Sequence, residues 1–504
     1  MAAALVALVV SIQILIAYPR ASQPLIDGRL HTDFDTAAFL LRAFHSNDGT
    51  IADWRKVFGV ATYLYDDRNQ PVALDLYANH GVLSPLLLRL YAKLVGYSEL
   101  TTRSYSLLVS LLTTVAVFGL LKAATRRTVP AFLLTLLYVL LPLKYMYLDR
   151  WKYEGMVELV IAATAFCLVE RDRHRGFRYG FLVGVFLLFQ TDYTAYLPAA
   201  LMVAYLFLGG RRADDRALGI RGGLVAAGGV AIAFAIQWSL GFDRDAIARA
   251  LSIRTAGGMD DVSLWDWLVR HVVQAGSNLE PWHAALMVVA LVWAVAVRPG
   301  LRNPFVYLGA ALVVSTFVYC LVFRNQSYIH HYVLWNYGLA YVLLLAGILG
   351  ATPAAQRVGE HVWVLVFVPV VALTWMTASA TEEAYRRAVF GLADDMAVIR
   401  AVDRRLVYFD DGASGPPGWW GGPVIQLYTD PVFRRSRSTG ARNIEGMRDL
   451  SPDRDLVVAR RDRQAVSHVT QYLKDRFGIE GVRVERSTPT FVFLTFDAAA
   501  ARVR

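Results

Sequence analysis

The sequence is poor in charged residues. Asp, Glu, Lys and Arg make up only 18% of its 504 residues, whereas they make up about 25% of a typical soluble chain. The hydrophobic fraction is 56% and the mean hydropathy is +0.39. This composition excludes an ordinary soluble protein and predicts an integral membrane protein.

Cysteine is also scarce, and its placement excludes two kinds of site. The chain has two cysteines, Cys167 and Cys320, and each lies within an apolar run. Neither has the spacing of a disulfide framework or of a zinc site. We therefore interpret both as packing residues.

The N-terminus lacks the signals of a cleaved leader. No basic region precedes the first apolar run, and Tyr18-Pro19-Arg20 is a poor cleavage site. We expect this run, 2–18, to be a retained membrane span.

Basic residues exceed acidic ones, which gives a net charge of +10. They lie in short connectors between apolar runs, where basic side chains orient spans and contact anionic lipid headgroups. This placement predicts membrane lipids as partners and no nucleic acid.

Eleven apolar runs have about the length needed to cross roughly 30 Å of hydrocarbon. They are 2–18, 104–121, 129–148, 155–169, 177–190, 192–209, 222–240, 282–297, 304–323, 332–350 and 361–379. The polar triplet Gln190-Thr191-Asp192 divides one stretch into two short runs.

Positive charge predicts how these runs are oriented. Counting each run as a span places the basic connectors on one side, which we assign to the cytoplasm. They contain Lys122, Arg126, Arg127, Arg171, Arg173, Arg175, Arg178, Arg211, Arg212, Arg216, Arg221, Arg298, Arg302 and Arg357. The opposite side receives the loop 19–103, the turn 149–154, the loop 241–281, the turn 324–331 and the tail. Polar chemistry is therefore expected on the extracytoplasmic face of the cell membrane.

The tail has a different sequence pattern from the rest of the chain, with short strand-like segments in place of long apolar runs. Segments 406–409, 456–459 and 491–494 have the length and composition of strands, and 465–477 has the pattern of an amphipathic helix. About 120 residues suffice for an independent core. We predict a transmembrane domain over 1–380 and an exterior soluble α/β domain over 381–504.

The first exterior loop contains the most conspicuous polar motif. Asp33 and Asp35 flank a phenylalanine and follow His31, and apolar residues at helical spacing come next. Asp35 is suited to cap that helix, but two acids and a histidine exceed what a cap requires. Later in the loop, His80 precedes a segment, 86–95, that has the pattern of an interfacial helix.

Acidic residues also occur at the start of apolar runs. Glu154 and Glu158 lie four residues apart, and Asp192 follows the fifth run. Exposing a carboxylate to lipid costs a few kcal/mol. These side chains are therefore expected to face the protein interior or a site.

In order and placement, these elements resemble the GT-C superfamily of polytopic glycosyltransferases. The resemblance is to the branch of dolichyl-phosphate-mannose protein mannosyltransferases and lipid A aminoarabinose transferases, which is glycosyltransferase family 39-like. The matching patches are Asp33 and Asp35, with Asp35-Thr36-Ala37 the better match; His80 to Pro85; Tyr147-Leu148-Asp149-Arg150 with Glu154; and Tyr328-Ile329-His330-His331-Tyr332. The predicted fold is a GT-C-like polytopic α-helical membrane protein with about 11 transmembrane helices and a C-terminal soluble α/β domain.

The resemblance implies a hexosyl- or pentosyltransferase that uses a polyprenyl-phosphate sugar. The sugar would pass, with inversion, to a hydroxyl of an envelope acceptor, which is a glycolipid, a polysaccharide or a protein. Metal use varies in the superfamily, so the resemblance neither requires nor excludes a divalent metal.

The implied chemistry assigns a role to each candidate residue. Asp35, or Asp33, is the candidate general base, a contribution of roughly 10²–10⁴-fold. Cations at the exterior face would stabilise the departing phosphate. The phosphate-binding candidates are Arg150, Lys152, Arg324 and His330, and the substrate-binding candidates are His31, His80, Glu154, His331 and Tyr332.

Simpler interpretations stay open. Cations at span ends commonly reach to lipid headgroups, and histidines at span boundaries are often merely interfacial. A lipid-linked-sugar transporter or flippase would also be polytopic, although it predicts discontinuous helices and repeated halves. A non-enzymatic envelope-assembly protein is a third alternative.

Overall fold

The computed structural model describes residues 1–20, 64–65, 71–72, 81–96, 98–208, 213–239, 255, 262–296, 302–329, 331–388, 398–399, 401–408, 441–444, 447, 449–461, 463–488 and 491–497. The chain divides into two compact units. The first lies within Met1–Ala21, Ala78–Ser84 and Thr102–Glu383, and the second within Ser22–Tyr77, Pro85–Thr101 and Ala384–Arg504.

In the described part of the chain up to residue 388, the regular elements are helical apart from one short strand pair. They are α1 (Ala2–Ala17), α2 (Leu83–Val95), α3 (Glu99–Thr125), α4 (Thr128–Leu140), α5 (Pro142–Met146), α6 (Tyr153–Val169), α7 (Arg175–Thr191), α8 (Tyr196–Leu208), α9 (Ala213–Ser239), α10 (Leu264–Leu279), α11 (Pro281–Ala296), α12 (Pro304–Val322), α13 (Arg324–Ile329), α14 (Asn336–Ala351), α15 (Pro353–Arg357) and α16 (Glu360–Ala388). Short 3-10 turns cover Tyr18–Arg20, Tyr193–Ala195 and His331–Leu334.

Six helical segments among the described residues are long and apolar enough to cross a membrane. They are Ala2–Arg20, Leu100–Thr125, Ala213–Ser239, Pro304–Val322, Tyr332–Ala351 and Glu360–Glu383. The pair α10 and α11, which is bent by 107°, adds a seventh if it counts as one span. Each of the eleven predicted runs overlaps helical structure in its described part, and five of them are not among these six segments. The prediction of a polytopic α-helical membrane protein is confirmed.

Local sequence explains two breaks in these helices. Leu141 is extended because it precedes Pro142, which begins α5, so the predicted run 129–148 is not one straight helix. Asp192 is also extended, and its carboxylate accepts a 2.8 Å hydrogen bond from the amide of Thr194. Asp192 is 2% exposed, which confirms that this acid does not face lipid.

The span containing α14 is the most enclosed of the six, with 78% of its apolar window buried. Small residues allow α12 and α14 to pack closely. A Cβ on Gly309 would lie 2.7 Å from Leu344 Cγ, and a Cβ on Gly347 would lie 2.6 Å from Val306 Cγ2. This packing places the turn before α14 in the interior of the first unit.

The second unit contains two sheets in its described part. A two-stranded antiparallel sheet joins β1 (Leu64–Tyr65) and β2 (Pro71–Val72). The larger sheet comprises β3 (Arg405–Tyr408), β4 (Ala441–Asn443), β5 (Asp455–Arg460), β6 (Val482–Ser487) and β7 (Phe491–Phe496), in the order β4-β3-β5-β7-β6. The first three strands are parallel, and β5, β7 and β6 pair antiparallel.

The helix α17 (Arg463–Phe477) lies between β5 and β6 in the chain. Its Val469, Leu473 and Phe477 belong to the same buried cluster as Val457 and Leu494 of the sheet. The edge strand β6 has the charged sequence VRVERS, which suits an edge because charge discourages further strand pairing. Strands β3, β5 and β7 and helix α17 coincide with the segments that the sequence pattern indicated.

Candidate functional site

The turn between α5 and α6 contains the most polar group of predicted residues in the described structure. Pro142 separates α4 from α5, α5 ends after five residues at Met146, and the chain leaves helical geometry until Lys152, whose extended backbone precedes α6. Asp149 and Arg150 therefore lie in an irregular segment at the ends of several helices. We call residues 147–152 the α5–α6 turn.

A cavity adjoins this turn, and we call it the turn cavity. Its lining residues are Ser84, Tyr105, Ser106, Val109, Ser110, Tyr147, Arg150, Trp151, Lys152, Gly155, Met156 and Trp335. Two of these side chains are cationic, four are aromatic, and none of the described lining residues is acidic. The cavity is small, about 20 Å³, and its cations and hydroxyls suit one anionic group such as a phosphate.

Lys152 lies between two aromatic rings. Its Nζ is 5.8 Å from the ring centroid of Tyr147 and 5.3 Å from that of Tyr332. Cation–π contacts at such distances hold an ammonium group in place. The predicted residues Lys152 and Tyr332, which are 180 positions apart, are therefore neighbours.

A buried ion network, which we call the Asp149 network, holds the α5–α6 turn. Arg20 donates to Asp149 Oδ1 at 3.1 Å, to Glu382 Oε2 at 2.6 Å and to the Tyr145 carbonyl at 2.9 Å. Arg103 forms a second ion pair with Asp149. The network connects the ends of α1 and α16 and the start of α3 to the turn.

The charges of the Asp149 network outweigh the effect of burial. Burial alone would raise the pKa of the Asp149 carboxyl. The positive charges of Arg103, Arg20 and Arg150 lower this pKa by more than burial raises it, so it lies below the usual value. Asp149 is therefore an ionised anchor for the turn and not a proton donor near neutral pH.

A second buried ion pair lies beneath the turn. Lys144 Nζ donates to Glu158 Oε2 at 2.7 Å and to the Trp335 carbonyl at 2.9 Å. Trp335 Nε1 donates to the same Glu158 oxygen at 2.7 Å. Glu158 is 2% exposed, which confirms that this acid faces the interior. We call this group the Lys144 triad.

The Lys144 triad connects the turn cavity to a second small cavity. Ser110, Gly155 and Trp335 line both, and the second is also lined by Gln13, Lys144 and Glu158. By fixing the indole of Trp335, the triad sets the shape of the boundary that the two cavities share.

The structure brings together only some of the predicted site residues. Arg150 and Lys152 line the turn cavity, and Tyr332 contacts Lys152. Glu154 is buried in the first turn of α6, as expected for an acid at the start of a run. Arg324 begins α13 and is not among the described residues that line the turn cavity.

His31, Asp33, Asp35, His80 and His330 lie outside the described residues, and the side chain of His331 does as well. Their roles remain predictions. Among the residues that are described, no group of three His, Cys, Asp or Glu side chains is arranged to hold a metal ion.

Sequence reasoning missed several residues of this region. Arg20 was considered only as part of a poor cleavage site, Arg103 was assigned no role, and Lys144 lay unnoticed inside a predicted span. A lysine within an apolar run requires a partner, and Glu158 in the next run provides it. Tyr105 and Trp335 gave no signal, because aromatic residues are ordinary near membrane interfaces.

Two comparisons of this sequence with known proteins give no match. No family model matches it, and no curated protein matches its sequence.

Comparison of structures shows the fold. The crystal structure of ArnT from Cupriavidus metallidurans in the apo state matches with a TM-score of 0.60 and 13% identity, covering 97% of each chain. The structure of the same protein bound to undecaprenyl phosphate matches with a TM-score of 0.51 and 14% identity, again over 97% of each chain. ArnT is a lipid A aminoarabinose transferase with the GT-C fold. The predicted GT-C fold is therefore confirmed, and identity this low shows the fold alone.

Proposed function

We propose that this protein is a glycosyltransferase that moves a sugar from a polyprenyl-phosphate donor to an acceptor hydroxyl in the cell envelope. The observation that carries the proposal is the turn cavity, with Arg150 and Lys152 on a lining that includes no acid among its described residues. The shared fold supports it, since one ArnT structure is bound to undecaprenyl phosphate.

The cavity suits the departure of a lipid phosphate. Breaking the bond between the anomeric carbon and the phosphate oxygen leaves negative charge on the phosphate. Preorganised cations in a partly dehydrated site stabilise developing charge effectively. Arg150 and Lys152 are held for this task, one beside the Asp149 network and the other between two tyrosine rings.

The acceptor hydroxyl must lose a proton as it attacks. We assign this step to Asp35, with Asp33 as the alternative, because a carboxylate is a suitable base for a hydroxyl in a direct displacement. Direct displacement inverts the anomeric centre. The acceptor is a glycolipid, a polysaccharide or a protein.

The proposed topology places this chemistry outside the cytoplasm. Eleven spans within 1–380 put the α5–α6 turn, the first loop and the domain 381–504 on the extracytoplasmic side of the cell membrane. The basic connectors then lie in the cytoplasm, as the distribution of positive charge predicts.

The proposal is tested by release of undecaprenyl phosphate, a product that does not depend on the acceptor. Purified protein in proteoliposomes made with envelope lipids receives synthetic undecaprenyl-phosphate hexose, pentose and aminopentose. We expect one donor to be consumed by the wild type, and Arg150→Gln and Asp35→Asn to lower the rate at least about 100-fold. The matched control is Arg173→Gln, since that side chain is 77% exposed.

Two results would contradict the proposal. One is release by Asp35→Asn at the wild-type rate, which removes the proposed base. The other is movement of the donor across the bilayer without release of undecaprenyl phosphate, which indicates a flippase. An unfolded variant is recognised by its melting temperature, and Arg150→Lys should recover part of the rate.

A further inference from the structure

The helices α10 and α11 form an elbow that is unusual in two ways. Their axes differ by 107°, and the residue between them, Glu280, has a left-handed backbone with φ 72°. Residues other than glycine seldom adopt this conformation, and it persists only where surrounding structure enforces it. The elbow is therefore a defined feature of the fold.

Helix α10 has its apolar side outward. Trp265, Val269 and Val272 are 70%, 46% and 62% exposed, whereas His271 and Gln274 are buried. This arrangement is the reverse of a soluble helix and is typical of a helix whose apolar face contacts lipid.

The inward face of α10 is fixed by polar contacts. Trp267 Nε1 donates to Ser327 Oγ at 2.8 Å, and His271 Nε2 lies 2.9 Å from the Tyr337 hydroxyl. Gln274 donates to the Tyr328 carbonyl at 3.1 Å. Trp265 therefore lies on the outward face of the helix, and Trp267 lies on its inward face.

Inside the elbow lies a groove of about 860 Å³, which we call the elbow groove. Ligand sites commonly have roughly 300–1,000 Å³. Most of its lining is apolar and includes Val273, Ala284, Val288 and Phe317. An apolar groove beside a lipid-facing helix is open to hydrocarbon chains of the bilayer, so its occupant is expected to be a lipid.

The polar residues of the elbow groove discriminate between headgroups. Glu280 lines it together with Thr377 and Thr381, and none of the described lining residues is Lys or Arg. Glu280 is 2% exposed; its Oε2 accepts from Trp282 Nε1 at 2.5 Å and lies 4.0 Å from His283 Nε2. The Thr377 hydroxyl is a further donor beside the carboxylate, and the Oε1 atom has no hydrogen-bond partner among the described residues. A carboxylate with spare acceptor capacity favours a cationic donor and disfavours an anionic headgroup.

We propose that the elbow groove binds one phospholipid with a primary ammonium headgroup, of the phosphatidylethanolamine class. An acyl chain lies along Val273, Val288 and Phe317, and the ammonium group donates to Glu280. This proposal is independent of the proposed transfer reaction, because it uses no residue of the turn cavity.

Native mass spectrometry of the full chain tests the proposal. The detergent-purified protein is titrated with phosphatidylethanolamine, phosphatidylcholine and phosphatidylglycerol that carry identical acyl chains. We expect one phosphatidylethanolamine molecule to be retained with about tenfold preference over each of the others, the ratio that one charge-assisted hydrogen bond provides. Glu280→Gln should abolish the preference, and Glu360→Gln, at an exposed site, should keep it.

A second variant tests the contact with the lipid acyl chain separately from the contact with the headgroup. Val288→Trp should reduce retention of phosphatidylethanolamine, because it fills the apolar part of the groove. Equal retention of the three lipids, a preference for phosphatidylglycerol, or an unchanged preference in a folded Glu280→Gln variant would overturn the proposal. Displacement of the bound phosphatidylethanolamine by added undecaprenyl phosphate would also overturn it, since the groove would then serve the donor.

Discussion

Gly81 shows how one residue fixes the geometry beside the turn cavity. Its amide donates to the Thr191 carbonyl at 3.1 Å, and a Cβ at this position would lie 2.3 Å from the Gln190 carbonyl oxygen. Only glycine permits this approach. Ser84, three residues later, lines the turn cavity, so the contact helps to place that side chain.

Gly81→Ala is therefore expected to destabilise the protein by about 1–3 kcal/mol, the usual effect of overpacking. Thermal unfolding in detergent measures the change. The matched control is Gly223→Ala in α9, where a Cβ would meet nothing within 4 Å and where alanine favours the helix by up to about 1 kcal/mol. Equal melting temperatures for the two variants would contradict the close approach at Gly81.

The Lys144 triad gives a second prediction for a single residue. Lys144→Met leaves Glu158 charged and buried, and removing one partner of a buried pair costs about 3–5 kcal/mol. Adding Glu158→Gln should recover part of this loss, because the glutamine oxygen still accepts from Trp335 Nε1 and carries no charge. Chemical or thermal unfolding of the wild type, Lys144→Met, Glu158→Gln and the double variant measures the coupling free energy between the two side chains. A double variant less stable than Lys144→Met would contradict the role assigned to the pair.

Single residues were also the hardest feature to predict from the sequence. Arg150, Lys152 and Tyr332 were found because they flank apolar runs in patches that resemble a known family. Arg20, Arg103 and Lys144 were missed, because their partners Asp149, Glu382 and Glu158 lie 14 to 362 positions away. Such pairings arise only from tertiary packing, which local spacing does not encode.

At the scale of elements, the Asp149 network connects three helix ends and one turn. The pKa of Asp149 is lower in the folded protein than in the unfolded chain. The stability contributed by its ion pairs is therefore complete above the ordinary aspartate pKa of about 3.9. This contribution is lost as the pH falls through the lower folded value.

Asp149→Asn should accordingly lower the melting temperature at pH 7, and the difference from the wild type should shrink as the solution is acidified below about pH 4. Melting curves in detergent between pH 7 and pH 3 measure this difference. Asp475→Asn is a suitable control, since it changes an exposed aspartate of α17. A difference in melting temperature between Asp149→Asn and the wild type that grows as the pH falls would contradict the direction of the pKa shift.

Elements were predicted well where periodicity or composition was strong. All eleven apolar runs overlap helical structure in their described parts, six of them as helices long enough to span a membrane, and the strands at β3, β5 and β7 overlap the apolar segments of the tail. The break at Pro142 divides the predicted run 129–148 into two helices. The elbow at Glu280 follows helix α10, which has its apolar face outward and which was predicted as part of the loop 241–281. A helix with its apolar face toward lipid has the same sequence pattern as one facing a core, so the sequence alone did not show its orientation.

At the scale of the whole molecule, fold and sequence similarity diverge. The chain matches ArnT over 97% of its length at 13% identity. Apolar residues interchange freely in lipid-facing spans, because hydrocarbon imposes little specificity beyond length and polarity. The order of spans and polar turns can therefore persist after sequence similarity has faded, which is why the layout of the chain indicated the GT-C fold.

The proposed orientation predicts the pattern of cysteine labelling. Glu485→Cys in β6 should react with a membrane-impermeant maleimide in intact cells, and Asp214→Cys at the start of α9 should react only after permeabilisation. Both side chains are exposed, and the native Cys167 and Cys320 lie within helices, which keeps background labelling low. The reverse pattern would place the tail in the cytoplasm and contradict the proposed topology.

The central claim is that the turn cavity binds the phosphate of a polyprenyl-phosphate donor. A cryo-electron microscopy map of the full chain with undecaprenyl phosphate tests it most directly. We predict phosphate density within about 4 Å of the Arg150 guanidinium or the Lys152 ammonium group, the distance of an ion pair. Phosphate density elsewhere, with the turn cavity unoccupied, would contradict the claim.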